Sequence, residues 1–428
     1  MLLEKEVGLG GKFILEKQCK SLNIDPDKLS PSDLEPLSVK ISWAIKSFTG
    51  EKRAEDIKKS ILDYRKALNI VGGTVTGQTP ESIIEAELTI AENKLSVGMH
   101  AEAKESLAKA RAVQEKLSGM NAEAFDSRIS RMMAKALSGS ANTLEQAAAE
   151  YRRAIESGKA SDQHFEVAMS WNGIGAIEWR LGRHKQSLKF YNKALEALSA
   201  TRTESRNDKL KKQNTEAVIK TGLGNVYLDL LEFDKAITAN EEAIEVFRAT
   251  DNKPEMGRVY NNLARVYEEM GDYPRAIDRY ERGIRLSQES GSHRMHGWAL
   301  TNLASALTEC GRADEARPHL EKAERILAEF NDPIAQSKLN CMWGKYHREK
   351  AEWSSAIERF ESSISALKDI KSPDYLATAQ DEFGLMYAKK GDAAKAKPLL
   401  EKAIAWYVEK KDTARAAKLK KALSGLKL

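Results

Sequence analysis

The sequence predicts an all-α protein: a right-handed superhelical solenoid of about eight helical hairpins, closed by a C-terminal capping helix and preceded by a small helical module. Three observations carry that expectation. One register of small residues repeats every 40 positions. The residues around each small one recur at helical spacing. The composition suits helices, with 10 prolines in 428 residues, 42% hydrophobic residues and only 7% aromatics.

The register is read from Leu223-Gly224, Leu263-Ala264, Leu303-Ala304, Trp343-Gly344 and Phe383-Gly384, whose small residues lie 40 apart each time. Three positions later come Tyr227, Tyr267, Leu307, His347 and Tyr387. Seven positions later lies a turn, clearest in Gly271-Asp272, Gly311-Arg312 and Gly391-Asp392. Twelve positions later every copy has alanine: Ala236, Ala276, Ala316, Ala356 and Ala396. Sixteen positions later come Asn240, Tyr280, Leu320, Phe360 and Leu400. The glycine ends one helix and the next begins after it, so each copy is a hairpin. Small residues let its helices approach and the large ones fill the gaps beside them.

Trp171-x-x-Ile174-Gly175 and Tyr260-x-x-Leu263-Ala264-x-x-Tyr267 resemble the first half of the tetratricopeptide repeat, and Ala276-x-x-x-Tyr280 and Ala356-x-x-x-Phe360 resemble the second half. The usual period is about 34 residues and usually closes with a proline, which is missing here. The longer period implies longer helices, as in the extended repeats of kinesin light chains and spindle-orientation adaptors. HEAT repeats have a similar period but lack the Leu-Gly-x-x-Tyr signature.

Upstream the pattern loosens. Trp171 to Ala194 is a clear copy, with Gly182 at its turn and Tyr191 in its second helix. The polar run from Thr201 to Asn214 is extra length before the next copy, read as a loop or a helix extension. Ala134, Ala147, Tyr151 and Ala154 mark one degenerate copy, and Ala91, Gly98, Ala103, Leu107 and Ala110 another. The array thus runs from about residue 84 to 412, and Ala416, Leu419 and Leu423 give residues 413–424 the look of a capping helix. Residues 1–70 do not fit the repeat and read as a small three-helix module, with a capping box at Ser32-Asp33-Leu34-Glu35. The glycine-rich stretch 71–80 reads as a linker, leaving 81–428 as the solenoid with its cap.

Composition and motif searches exclude several functions. No apolar run is long enough to span a membrane, and the N-terminus lacks a signal-peptide pattern. Cys19, Cys310 and Cys341 form neither a C-x-x-C pair nor a disulfide framework, which fits a cytoplasmic protein. A net charge of +5 from 68 basic and 63 acidic residues is close to balance and argues against general nucleic-acid affinity. Gly8-Leu9-Gly10-Gly11-Lys12 fails as a phosphate loop: Glu6 stands where the first glycine is needed, and Phe13 follows the lysine. His293 and His296 read as surface histidines without further ligands, so no metal and no cofactor is expected. Cys310 and Cys341 read as small packed hydrophobes. Phe48-Thr49-Gly50 resembles a helix-turn-helix turn, but Glu51 and Asp56 intrude on the helix that would enter the groove. No catalytic motif appears, so the expectation is not an enzyme.

A solenoid offers a concave surface lined by the first helix of each copy. With the small residue numbered 8, positions 4, 7, 8 and 11 pack, and positions 2, 6, 9 and 13 form the opposite, exposed stripe. That stripe supplies Asn225, Arg258, Asn262, Arg265, Trp298, Asn302, Lys338 and Lys345 as candidate groove residues. Position 13 is acidic in Asp229, Glu269, Glu309 and Glu349. Arg265–Glu269 and Lys345–Glu349 read as pairs within one helix. The resemblance implies that the Asn row holds an extended peptide, since an amide can donate to and accept from a backbone. The expected function is a non-enzymatic adaptor or scaffold with a protein or peptide in this groove. The alternatives are a regulator whose repeats bind a signalling peptide, and nucleic-acid binding through the N-terminal module. The sequence sets no oligomeric state.

Overall fold

The computed structural model describes residues 79–428 together with residues 41 and 59, except for residues 97–98, 331, 369–371, 411 and 427–428. The expected three-helix module, the linker up to residue 78, the turn-like Phe48-Thr49-Gly50, Cys19 and Gly98 lie outside the described residues.

Seventeen α-helices and no strand occur among the described residues. They pair as eight hairpins: α1 (Pro80–Ser96) with α2 (His100–Gln114), α3 (Met120–Leu137) with α4 (Leu144–Ala160), α5 (His164–Arg180) with α6 (His184–Ser199), and α7 (Arg206–Asp229) with α8 (Phe233–Ala249). Then follow α9 (Lys253–Glu269) with α10 (Tyr273–Glu289), α11 (His293–Glu309) with α12 (Ala313–Leu327), α13 (Pro333–Glu349) with α14 (Trp353–Ala366), and α15 (Pro373–Lys390) with α16 (Ala393–Glu409). The cap is α17 (Thr413–Ser424), whose Ala416 and Leu419 are buried. The polar run after residue 200 is a helix extension: Ser205 and Asp208 form a capping box and α7 runs for 24 residues.

Contacts divide the chain into two compact units, residues 1–139 with 145–170, and residues 140–144 with 171–428. The first unit centres on Ile84, Leu88, Leu107 and Ile129, all essentially inaccessible. Arg111 forks onto Glu150, with Nη1–Oε1 at 2.8 Å. The main core of the second unit runs from Ala217 to Leu419, beside a smaller cluster of Leu228, Ala236 and Val266. Phe360 and Phe383 stack across neighbouring hairpins at 5.3 Å, and Phe383 continues the stack to Tyr387 at 4.8 Å.

The small-to-large pairing read from the sequence is the packing itself. A Cβ on Gly344 would come within 2.7 Å of Phe360, and one on Gly224 within 2.5 Å of the Asn240 amide. The turns repeat as well. Asp272 N–H donates to the Tyr267 carbonyl at 2.8 Å, and Glu232, Arg312, Glu352 and Asp392 make the equivalent bond in their copies. The residue before each adopts a left-handed conformation. Gly271, Gly311 and Gly391 do so freely, but Leu231 (φ 59°) and Ala351 (φ 57°) carry a Cβ there. Leu231 is also half exposed, so little packing offsets the strain. Leu231→Gly is expected to stabilise the protein by about 0.5–1 kcal/mol, the steric relief exceeding the entropy added to the unfolded chain. A urea midpoint at or below that of the wild type would refute this.

Candidate functional site

The candidate residues all lie on first helices of the second unit, from α7 to α13. These first helices also pack on one another, α7 on α9, α9 on α11, α11 on α13 and α13 on α15. Trp298 of α11 reaches past α13 to Tyr375 of α15, edge to face at 6.5 Å. Lys338 of α13 sets its ammonium 5.2 Å above the Trp298 ring. Three helices thus contribute to one aromatic and cationic wall.

The expected exposure of this stripe needs correction. Asn262, Asn302 and Lys345 are buried, Lys345 at only 5% exposure, while Asn225, Arg258, Arg265, Trp298 and Lys338 are half-buried. Neighbouring first helices pack against this stripe, which a single-helix projection does not anticipate. The polar groups there are sorted into committed and uncommitted ones. Asn302 Nδ2 donates to Asn261 Oδ1 at 2.8 Å and is committed. Asn225 Oδ1 is buried and accepts from no protein donor. The Asn262 amide makes no side-chain hydrogen bond among the described residues. Arg258 pairs with Glu255 one turn earlier on α9, Nε–Oε2 2.8 Å.

The acidic row also differs from its expected pairing. Lys345 does not pair with Glu349 on its own helix. It pairs with Glu309 of α11 and, at 3.4 Å, with Glu382 of α15. Glu349 takes Arg348 at 3.1 Å and Lys389 of α15 at 2.6 Å. Arg348 closes the network on Glu382 at 2.7 Å. Three of the position-13 acids, Asp229, Glu309 and Glu349, therefore tie successive first helices together. Burial alone would raise the Glu382 carboxyl, but Lys345 and Arg348 outweigh it and hold it well below the usual carboxylate range. Asp229 accepts from the Trp179 indole at 2.6 Å, and Glu268 accepts from the Tyr280 hydroxyl at 2.6 Å and the Ser305 hydroxyl at 3.1 Å. Arg265 and Lys338 are left with no carboxylate at ion-pair distance among the described residues. Burial, and then the charge of Arg265, push the Lys338 ammonium down to about 8.

His296 is buried beside the Ser287 hydroxyl (3.2 Å) rather than on the surface, because α11 packs on the end of α10, while His293 is exposed. Cys341 is buried as expected, and Cys310 is half-buried. No group of three metal-ligating side chains occurs among the described residues. No helix among them is long and apolar enough to cross a membrane. Sequence reasoning missed Tyr375, Asn261, Arg348 and Glu382. Arg348 and Glu382 sit at charged helical positions with no motif, and Tyr375 meets Trp298 across 77 residues of sequence.

Residues 215–289 match one tetratricopeptide repeat family model, and residues 131–201 and 262–329 match a second. The chain is a tetratricopeptide-repeat protein. Repeats of this kind build scaffolds for protein interaction. No curated protein matches the sequence. Among solved structures, a Rap protein complexed with competence and sporulation factor is similar with a TM-score of 0.61 at 13% identity, over 92% of this chain and 99% of that one. The apo form of RapI has a TM-score of 0.55 at 13% identity, over 88% of this chain and 99% of its own. The Rap conjugation gene regulator of the plasmid pLS20, in complex with the Phr* peptide, has a TM-score of 0.53 at 13% identity, over 79% and 98%. At that identity the likeness is one of fold.

Proposed function

We propose that the inner face of the second unit binds an extended peptide or a peptide segment of a protein, and that the chain is a non-enzymatic adaptor. The observation that carries this reading is the uncommitted amides of Asn225 and Asn262 on the first helices of consecutive hairpins. Asn225 Oδ1 is buried without a donor, which costs free energy unless a ligand supplies one. An extended backbone presents a donor and an acceptor at every residue, which is what a row of amides can satisfy. The regulator reading gains support from the structural likeness to Rap proteins, one of which is described as a gene regulator in complex with a peptide. In that reading the peptide changes what the rest of the chain can bind.

The test is selection of heptapeptides from a bead library by the full-length protein. Asn225→Ala and Asn262→Ala are each expected to weaken the selected peptides about tenfold, the loss of one or two hydrogen bonds. Neither amide bonds to the protein, so melting temperatures should change little. Selected peptides that bind both variants as tightly as the wild type would remove the Asn row from the site.

A further inference from the structure

We propose that the outward face of the capping helix α17, with Lys418, Lys420 and Lys421, docks on the phosphate backbone of duplex nucleic acid without regard to base sequence. The inference is independent of the peptide groove and uses none of its residues.

The near-balance of charge along the chain hides a local exception. Residues 393–428, which hold α16 and α17, carry ten lysines and arginines against three acids, which leaves the rest of the chain slightly acidic. After Asp412 come five cations and no acid. α17 buries Ala416 and Leu419 and half-buries Leu423 against the core. At 100° per residue Lys418 and Lys421 stand on the opposite side with Lys420 on its flank, and all three are exposed. None of the three has an ion pair or a hydrogen bond among the described residues. The acids nearby do not neutralise them. Asp412 caps α17 through the Arg415 N–H at 3.0 Å, and Glu409 lies 3.7 Å from Lys410. Asp381 and Glu382 of α15 feel Lys418 only from beyond ion-pair distance. Asp381 accepts from Tyr407, and Glu382 is shared by Lys345 and Arg348. Glu401 of α16 is exposed and unpaired among the described residues, one acid beside Lys397 and Lys402, which are likewise unpaired. Arg415 leans on the Tyr407 ring at 5.4 Å, attracted by Glu269 and Asp381, and is not counted in the face.

A cap needs a polar outer face for solubility, but mixed charges supply that. A face of one sign calls for a polyanion, and its chemistry selects which. Protein interfaces are poor in lysine and anchored by aromatic residues, and α17 contains no aromatic residue. Single strands are held by stacking on such residues, so they are disfavoured on the same ground. An amphipathic helix binds a membrane through an exposed apolar side, and the apolar side of α17 is spent on the core. A duplex presents one phosphate charge per about 1.7 Å and asks only for point charges, which ammonium groups are.

The experiment titrates the full-length protein into two labelled DNA duplexes of unrelated sequence and reads fluorescence anisotropy. Both duplexes should bind alike, and affinity should fall roughly thirtyfold or more between about 50 and 200 mM salt, as three or more phosphate contacts require. The triple variant Lys418→Gln, Lys420→Gln, Lys421→Gln should bind at least about tenfold more weakly at the lower salt and lose about three from the slope of log affinity against log salt. Its melting temperature should match the wild type, because no protein partner is removed. A control variant of equal charge, Lys109→Gln, Lys159→Gln, Lys185→Gln, changes exposed lysines elsewhere and should bind as the wild type does. Anionic phosphatidylserine vesicles and polyglutamate serve as the competing polyanions. No binding to either duplex, an equal loss in the control variant, or tighter binding to vesicles or polyglutamate than to DNA overturns the proposal.

Discussion

Replacing Glu382 by Ala is expected to cost about 3 kcal/mol of unfolding free energy, measured by urea denaturation at pH 7. Glu382 of α15 faces two cations of α13, Lys345 at 3.4 Å and Arg348 at 2.7 Å. Lys345 is 5% exposed and cannot swing into solvent without opening the interface. Removing its partner leaves a desolvated charge held only by Glu309, and leaves Arg348 to Glu349. The remaining partners put the loss at the low end of what breaking a buried pair costs. Replacing Lys345 by Met together with Glu382 by Leu should recover much of it, since a packed apolar pair needs no solvation. Stability in a repeat array passes between neighbours, so Glu382→Ala should also unfold the last hairpins ahead of the rest and broaden the transition. A loss under 1 kcal/mol would mean that the network is solvated in solution. Acid gives an independent readout. The Glu382 carboxyl is held down in the fold, so its contribution is complete above the unfolded value of about 4.3 and is lost as pH falls below it. The neighbouring Asp381, which accepts from the Tyr407 hydroxyl at 3.2 Å, is pushed up by burial and by the charge of Glu382. Its ionised form opposes folding at neutral pH, and that penalty fades as pH falls toward about 4. Wild-type stability should therefore rise on mild acidification before it falls, and Asp381→Asn should remove the rise.

The hairpins were legible because their cause is local. A glycine opposite a large side chain sixteen residues on, as in Gly344 and Phe360, is both a sequence pattern and a packing contact. The capping helix was legible for the same reason, from Ala416 and Leu419 at helical spacing. The turns at Leu231 and Ala351 were less so, because the fold imposes a left-handed residue there whatever the side chain. On the candidate stripe the helical projection misjudged the surroundings of the side chains. It placed Asn302 toward a ligand, whereas Asn302 is spent on Asn261 of the preceding first helix. It paired Lys345 with Glu349 along one helix, whereas Lys345 bridges to α11 and α15. Those partners lie 36 and 37 residues away, and only the stacking of repeats brings them together. Tyr375 lies further still from Trp298, and no periodicity carries that contact.

Replacing Lys338 by Met is expected to raise the unfolding free energy at pH 7 by about 2 kcal/mol, measured by urea denaturation. Burial and Arg265 push the Lys338 ammonium down to about 8 in the folded protein, below the ordinary value of about 10.4. The charged form therefore opposes folding in full below the folded value, and the penalty fades as pH rises toward the unfolded one. The Trp298 ring face at 5.2 Å offsets part of the penalty, which keeps the gain below what the whole shift would give. A methionine carries no such penalty, so the gap between variant and wild type should close between about pH 8 and 10.4. The other groups facing Lys338 keep their protonation in this window while the chain is folded. Arg265 and Lys345 are both held above their ordinary values, Lys345 by Glu382 and Glu309 against burial. Burial pushes the Cys341 thiol up to about 12, and Glu268 stays hydrogen-bonded to Tyr280 and Ser305. Burial likewise raises Tyr375 above its ordinary value. In the unfolded chain Cys341 and Tyr375 ionise at their ordinary values and cost stability above them, equally in both proteins, so the gap isolates Lys338. Lys338→Arg should differ from Lys338→Met by an amount that does not change with pH, because a guanidinium keeps its charge throughout. A gap between Lys338→Met and wild type that stays the same from pH 7 to pH 10 would assign the gain to packing beside Trp298 and remove the desolvated charge as its cause.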